Sequence, residues 1–136
     1  MESKYINRYN TFCSCLQNLS RSCDANPDEP FVLEGTVQTF NLTFDIAWKV
    51  MKDILIKDMG VLDFAQGSPR QVLRQAFQNR IIDSDIWMDI LNSRNQLAHD
   101  YDGELAVKEF DNIVGPYYDE FCRFRYTASK YMIEDK

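Results

Sequence analysis

The sequence predicts an all-α protein, an up-and-down bundle of four to five helices. Apolar residues recur at spacings of three and four through most of the 136 residues, as on one face of an α-helix. Only five glycines and four prolines are present, and they gather at a few breaks, which suits long helices with short connections. Because no segment alternates convincingly between apolar and polar residues, we expect no strand.

The first two helices are predicted from their apolar faces. The first runs from Ser3, as N-cap, to about Arg21, and its face consists of Tyr5, Tyr9, Phe12, Leu16 and Leu19. The second runs from about Phe31 to Met59, and Gly60 follows as a terminating glycine. Its seam, typical of a helix packed nearly antiparallel to its neighbours, consists of Leu33, Val37, Phe40, Phe44, Ala47, Met51 and Ile54.

The third helix has a clear start signal. Ser68 can cap the free N–H groups, and Pro69 at the first helical position gives up only an N–H that would be unpaired. The helix is expected to end near Ile82. Its inner face consists of Val72, Leu73, Ala76 and Phe77.

The fourth helix is expected to begin at a cap residue, Asp83 or Ser84, and to end between His99 and Asp102. Its buried face consists of Ile86, Trp87, Ile90, Leu91, Leu97 and Ala98. The fifth is predicted from Glu104 to about Glu134, with the apolar side Leu105, Phe110, Ile113, Val114, Tyr117, Phe121 and Phe124. Pro116 should bend or break it, because the ring removes a hydrogen bond and crowds the preceding turn.

Size and charge indicate a single domain over residues 1–136 without an extended nucleic-acid surface. The formal net charge is −6 and the sequence pI about 4.7, whereas such a surface needs many cations. A small basic pocket remains compatible, since Arg70, Arg74 and Arg80 fall close together, with Arg94 a little later.

The remaining composition predicts a cytoplasmic protein. The four cysteines form no C-x-x-C pair and are expected to be free thiols in a reducing compartment. The polar amino terminus is not a signal peptide, and no apolar run approaches the roughly 20 residues that cross a membrane. With a single histidine we expect no metal site and no cofactor.

The stretch SRNQLAHDYD, from Ser93 to Asp102, carries the candidate chemistry. His99, the only histidine, can titrate near neutrality and could act as general acid or base on a ribose hydroxyl or its leaving group. Arg94 could hold the phosphate, and Asn95 could orient His99 or the scissile group. Arg70, Arg74 and Asp100 are candidate binding residues.

The spacing of Arg94 and His99 leaves other interpretations open. Five positions separate the two by about 140° on an ideal helix, so one helical face cannot hold both. Either the helix ends just before His99, or the site forms between two copies of the chain, which we favour because two-fold dimers are the commonest oligomers. A purely structural alternative pairs Arg94 with Asp100 or Asp102 and places His99 at the helix C-terminus.

Other candidate sites are weaker. A metal site at Asp83, Asp85 and Asp89 is less favoured than first-turn acids that complement a helix dipole. Trp48, Trp87 and the Tyr117–Tyr118 pair are interpreted as packing residues. Neither a Walker loop nor a G-x-G-x-x-G or G-x-S-x-G motif is present.

Three segments together resemble a known family. They are FDIAWKVMKDIL from Phe44, SPRQVLRQAF from Ser68 and RNQLAHDYD from Arg94. They are similar to the HEPN-domain nucleotidyltransferase substrate-binding proteins, which are close relatives of HepT-type toxins. The resemblance covers about residues 3–133.

The resemblance implies a dimeric helical bundle and a partner, a minimal nucleotidyltransferase encoded as a separate chain. In HepT-like members the R-x-x-x-x-H motif forms a metal-independent RNase site at the dimer interface, which implies catalytic roles for Arg94 and His99 and support from Asn95. The partner adenylylates a motif tyrosine, here Tyr101, and so blocks the site. The alternative is a non-catalytic subunit that binds substrate or nucleotide for the partner; either way RNA or a nucleotide is expected as ligand.

Overall fold

In the computed structural model of this chain, the described residues form five helices around one apolar core, and the last helix is kinked into two α-helical parts. The structure describes residues 4–61, 67–100 and 102–133, with side chains from residue 6 onwards. The elements are α1 (Lys4–Cys23), α2 (Val32–Lys57), α3 (Pro69–Gln78), α4 (Ile86–Leu97), α5 (Glu104–Asn112), a π-helical segment (Ile113–Tyr117), α6 (Tyr118–Ser129) and a 3₁₀ turn (Lys130–Met132). Within these ranges there is no strand, and the all-α prediction is confirmed.

The long helix α2 organises the bundle, because it contacts each of the other five α-helices. Its seam residues Phe40, Phe44, Ala47, Met51 and Ile54 are fully buried, as predicted. They meet an aromatic cluster that joins α1, α2, α4 and α6 and consists of Phe12, Phe40, Phe44, Trp87, Phe121 and Phe124. These edge-on and tilted ring contacts explain the high aromatic content as core packing.

The kink in the last helix falls at the predicted proline. Gly115, directly before Pro116, has the non-helical dihedral angles φ −107° and ψ −107°, and the backbone from Ile113 to Tyr117 is wound as a π-helix. The helix then resumes as α6. The kink brings Tyr117 beneath α4 and onto the ring of Phe40, with ring centroids 5.8 Å apart.

The predicted start of α3 is confirmed, whereas the predicted end near Ile82 is wrong. Ser68 Oγ accepts from the Gln71 backbone N–H, and the Gln71 side chain accepts from the Ser68 N–H, a reciprocal capping box. The helix ends at Gln78, because Arg80 adopts a positive φ of 62° and turns the chain. Phe77, predicted to face inward, is 50% exposed.

Other helix boundaries shift by a few residues. α1 continues to Cys23, and α2 ends at Lys57, followed by Gly60 with φ +68° and a hydrogen bond from Val61 N–H to the Leu55 carbonyl. The predicted ends at Ser3 and Glu134, and the side chain of Tyr5, lie outside the described part of the chain. All four cysteines are free thiols.

The fourth helix is shorter than predicted at both ends. It begins at Ile86, where Ser84 Oγ accepts the Ile86 N–H, and it ends at Leu97. Ala98, predicted to be buried, is exposed. Because of this early end, residues 98–100 lie outside the helix, in the connection that leads to α5.

Candidate functional site

Arg94 lies in the last turn of α4 and is held by a carboxylate from α2. Its Nε donates to Asp45 Oδ1 at 3.1 Å and its Nη2 donates to Asp45 Oδ2 at 2.9 Å. Both side chains are 31% exposed. This bidentate pair fixes the plane of the guanidinium and compensates its charge. The partner is therefore Asp45, and not Asp100 or Asp102 as the structural alternative supposed.

Asp100 and Asp102 instead anchor the loop to the start of α5. The two carboxylate oxygens of Asp100 accept from the backbone N–H groups of Leu105 and Ala106, at 3.2 and 2.9 Å. Asp102 Oδ1 accepts the Glu104 N–H at 3.2 Å. These bonds satisfy N–H groups that a helix N-terminus leaves unpaired, so the Asp100 carboxylate has a structural partner on each oxygen.

His99 follows the end of α4 in a turn. Its backbone N–H donates to the Gln96 carbonyl at 3.1 Å, and the side chains of His99 and Asn95 are both exposed. The helix therefore ends before His99, which is the first of the two geometries open from the spacing. Tyr101 lies outside the described residues.

A groove of about 630 Å³ opens beside this loop, between α2 and α5. One wall comes from α2, and the other from the end of α4, the loop and α5. It is lined by Leu33, Glu34, Val37, Gln38, Asn41, Leu97, Ala98, Asp100, Asp102, Gly103, Ala106 and Val107. The groove thus combines apolar walls with two amides and several carboxylates, a lining typical of a ligand site.

A buried hydrogen-bond network supports α4 directly beneath Arg94. Ser93 Oγ donates to Glu109 Oε1 at 2.6 Å and lies 3.1 Å from the Tyr117 hydroxyl, which is then the donor to Ser93. Burial raises the pKa of Tyr117, so the phenol keeps the proton that it donates. The network joins α4 to α5 and to the π-helical segment, and so fixes the register of Arg94.

The two predicted binding arginines of α3 lie against other parts of α4. Arg70 Nη2 donates to Asn92 Oδ1 at 3.3 Å, and its Nη1 lies 3.7 Å from Met88 Sδ. Arg74 lines a separate, mainly apolar pocket of about 300 Å³ that is bordered by Phe77 and Met88. The structure therefore does not bring Arg70 and Arg74 into the groove near Arg94.

Sequence reasoning missed the polar residues that α2 and α5 contribute. Asp45 is not among the predicted site residues, yet Glu34, Gln38, Asn41 and Asp45 follow each other at spacings of four, three and four and share one side of α2. A polar stripe at helical period on an otherwise apolar helix was the available signal. Ser93 and Glu109 gave no such signal, because their contact depends on how α4 and α5 pack.

The fold defines a class, a helical bundle in which an arginine of α4 is ion-paired with an aspartate of α2. Residues 5–130 match the family described as nucleotidyltransferase substrate binding protein like, so the chain belongs to this family. The resemblance inferred from the three sequence segments is confirmed. No helix among the described residues combines the length and apolar character that a membrane crossing requires.

A solved structure supports the fold. The chain is similar to a protein from Thermus thermophilus known from its crystal structure, with a TM-score of 0.71 and 20% sequence identity. The alignment covers 90% of this chain and 99% of the other. At this identity the likeness shows a shared fold. No curated protein matches the chain in sequence.

Proposed function

We propose that this chain is the substrate-binding subunit of a separate, minimal nucleotidyltransferase, and that the groove between α2 and α5 receives a nucleotide in the cytoplasm. Membership of the family supports the association with a transferase. The observation that carries the proposal is the groove itself, which offers apolar walls and the amides of Gln38 and Asn41. Such a lining suits a flat ring with a polar edge. Arg94 is paired with Asp45, which lies one turn beyond Asn41 on α2.

The proposal includes a homodimer formed over the same face. Leu42 on α2 and Val107 on α5 are 51% and 64% exposed, and Val107 also lines the groove. Exposed apolar side chains beside a groove are typical of an interaction surface. Sedimentation analysis should show a dimer that Val107→Glu weakens, whereas Tyr126→Glu, an equally exposed position on α6, leaves it intact.

Nucleotide binding is tested by filling the groove. Ala98 is exposed and lines the groove, so Ala98→Trp places a large ring inside it. Isothermal titration with ATP and AMP should show binding to the wild type and strong loss in Ala98→Trp. Gln17→Trp, at an exposed position on α1, is the matched control. Absence of binding to the wild type would contradict the groove as a nucleotide site.

A second candidate function is that of a HepT-like RNase toxin. The supporting observation is that Asp45 orients Arg94, while His99 lies exposed just beyond the end of the same helix. Arg94 would hold the scissile phosphate, His99 would transfer the proton, and Asn95 would support it, with the site completed across the dimer. Adenylylation of Tyr101 by the partner would add bulk and negative charge next to His99 and silence the protein.

RNA cleavage without divalent metal separates the two candidates. The toxin function requires cutting by the wild type and its loss in Arg94→Ala and His99→Ala with the helical content unchanged. If neither the wild type nor the variants cut RNA, the result favours the function as a binding subunit. For the silencing step, the intact mass should rise by AMP units when the transferase and ATP are added, and Tyr101→Phe should abolish that rise.

A further inference from the structure

Asn41 contains a buried acceptor that the fold leaves unused. Its Oδ1 is inaccessible to solvent and has no hydrogen-bond partner in the described part of the chain. Buried side-chain oxygens are nearly always paired, because an unpaired one loses its bond to water and gains none in the protein. At the same time Asn41 lines the groove. A residue that destabilises the folded protein at a ligand-sized groove is a candidate for ligand contact.

The neighbours of Asn41 indicate what kind of ligand it would contact. Gln38, the preceding polar residue of the α2 stripe, also lines the groove, so two amides lie side by side. The apolar side chains Leu33, Val37 and Leu97 flank them and offer flat surfaces without hydrogen-bonding groups. Asp45, one turn further along α2, marks the end where Arg94 is held. The groove thus combines amides and apolar walls, and the carboxylates of Glu34, Asp100 and Asp102 complete its lining.

We propose that Asn41, assisted by Gln38, recognises the edge of an unpaired nucleobase in this groove, with a preference for adenine. The inference rests on the proposed nucleotide-binding function. A carboxamide offers a donor and an acceptor side by side, which matches the N6 amino group and N7 of adenine. On binding, rotation of the Asn41 side chain would bring both groups of its amide to the edge of the base, so that the oxygen that is buried in the free protein accepts from N6.

Two readouts on Asn41→Leu test the proposal. Removal of the unpaired amide should raise the melting temperature by about 3 to 6 °C, because leucine fills the space without an unsatisfied polar atom. Titration with AMP and UMP should show that the affinity for AMP falls on the order of tenfold while that for UMP changes little. Asn10→Leu, an exposed asparagine on α1, is the control and should change neither quantity.

Asn41→Asp provides a second variant of the same shape. It removes the donor that N7 requires, so AMP affinity should again fall selectively. The proposal is overturned if the melting temperature of Asn41→Leu does not rise, or if AMP and UMP lose affinity equally. It is also overturned if Asn41→Leu weakens dimerisation, since the second copy would then satisfy the amide.

The outcomes separate this inference from the function on which it rests. If AMP binds the wild type, Ala98→Trp abolishes binding and Asn41→Leu leaves the AMP preference unchanged, the groove is the nucleotide site and Asn41 does not read the base. If neither AMP nor UMP binds the wild type, the nucleotide-binding function and the inference both fail.

Discussion

The ion pair between Arg94 and Asp45 should be a measurable part of the stability of the bundle. Hydrogen bonds to charged groups contribute about 1.5–3 kcal/mol when buried, whereas exposed ion pairs contribute about 0.2–1 kcal/mol. The pair has two good bonds, at 3.1 and 2.9 Å, and both side chains are about two-thirds buried. We therefore expect a coupling free energy of about 1–2 kcal/mol between the two side chains.

A double-mutant cycle with Asp45→Ala, Arg94→Ala and the double variant measures this coupling in urea unfolding. Each single variant should lower the free energy of unfolding, and the double variant should lose less than the sum of the two. Raising the salt concentration should reduce the coupling only partly, since the pair is screened less than a fully exposed one. A coupling below about 0.5 kcal/mol would refute the view that Asp45 holds Arg94 in place.

Three further predictions concern the fold. Ser68→Ala should lower the free energy of unfolding by about 1 kcal/mol through loss of the capping box, and Ser14→Ala, exposed on α1, should not. Glu120→Ala should lower the free energy of unfolding in urea by about 1–3 kcal/mol and shift the Trp87 fluorescence, because Trp87 Nε1 donates to this buried carboxylate at 2.8 Å. The control is Asp119→Ala at an exposed position. Burial raises the pKa of Tyr9 and of Tyr118 to about 12, so the folded state keeps these protons to higher pH than the unfolded chain does. The free energy of unfolding should therefore be at its full value below pH 10 and should fall as the pH rises towards 12. In the double variant Tyr9→Phe/Tyr118→Phe this fall should be smaller.

The helical architecture was predictable because local signals agree with the packing. The seam of α2, the N-cap at Ser68 and the break at Pro116 each follow from residue types at particular positions, and each is confirmed. Helix ends were less predictable. The apolar pair Ile81–Ile82 prolonged the pattern of α3, although these residues are buried from a turn beyond the helix.

The candidate site was predictable in part. The sequence correctly placed Arg94 within α4, and it placed the end of the helix between His99 and Asp102, whereas the helix ends at Leu97. The partner of Arg94 was not predictable, since Asp45 is 49 residues away and meets it only through the packing of α2 against α4. The roles of Asp100 and Asp102 at the start of α5 depend in the same way on the path of the loop.

The Asp45 carboxylate also bears on the choice between the two candidate functions. A guanidinium that keeps a carboxylate on two of its nitrogens is well oriented but electrically compensated, so it stabilises the growing charge of a cleaved phosphate only weakly. That arrangement suits a subunit that binds and orients a ligand. If the protein nevertheless cuts RNA, Asp45→Ala should change the rate of RNA cleavage, and the direction of the change distinguishes two roles of Asp45. A faster rate indicates that Asp45 masks the charge of Arg94, and a slower rate indicates that the orientation of the guanidinium matters more than its charge.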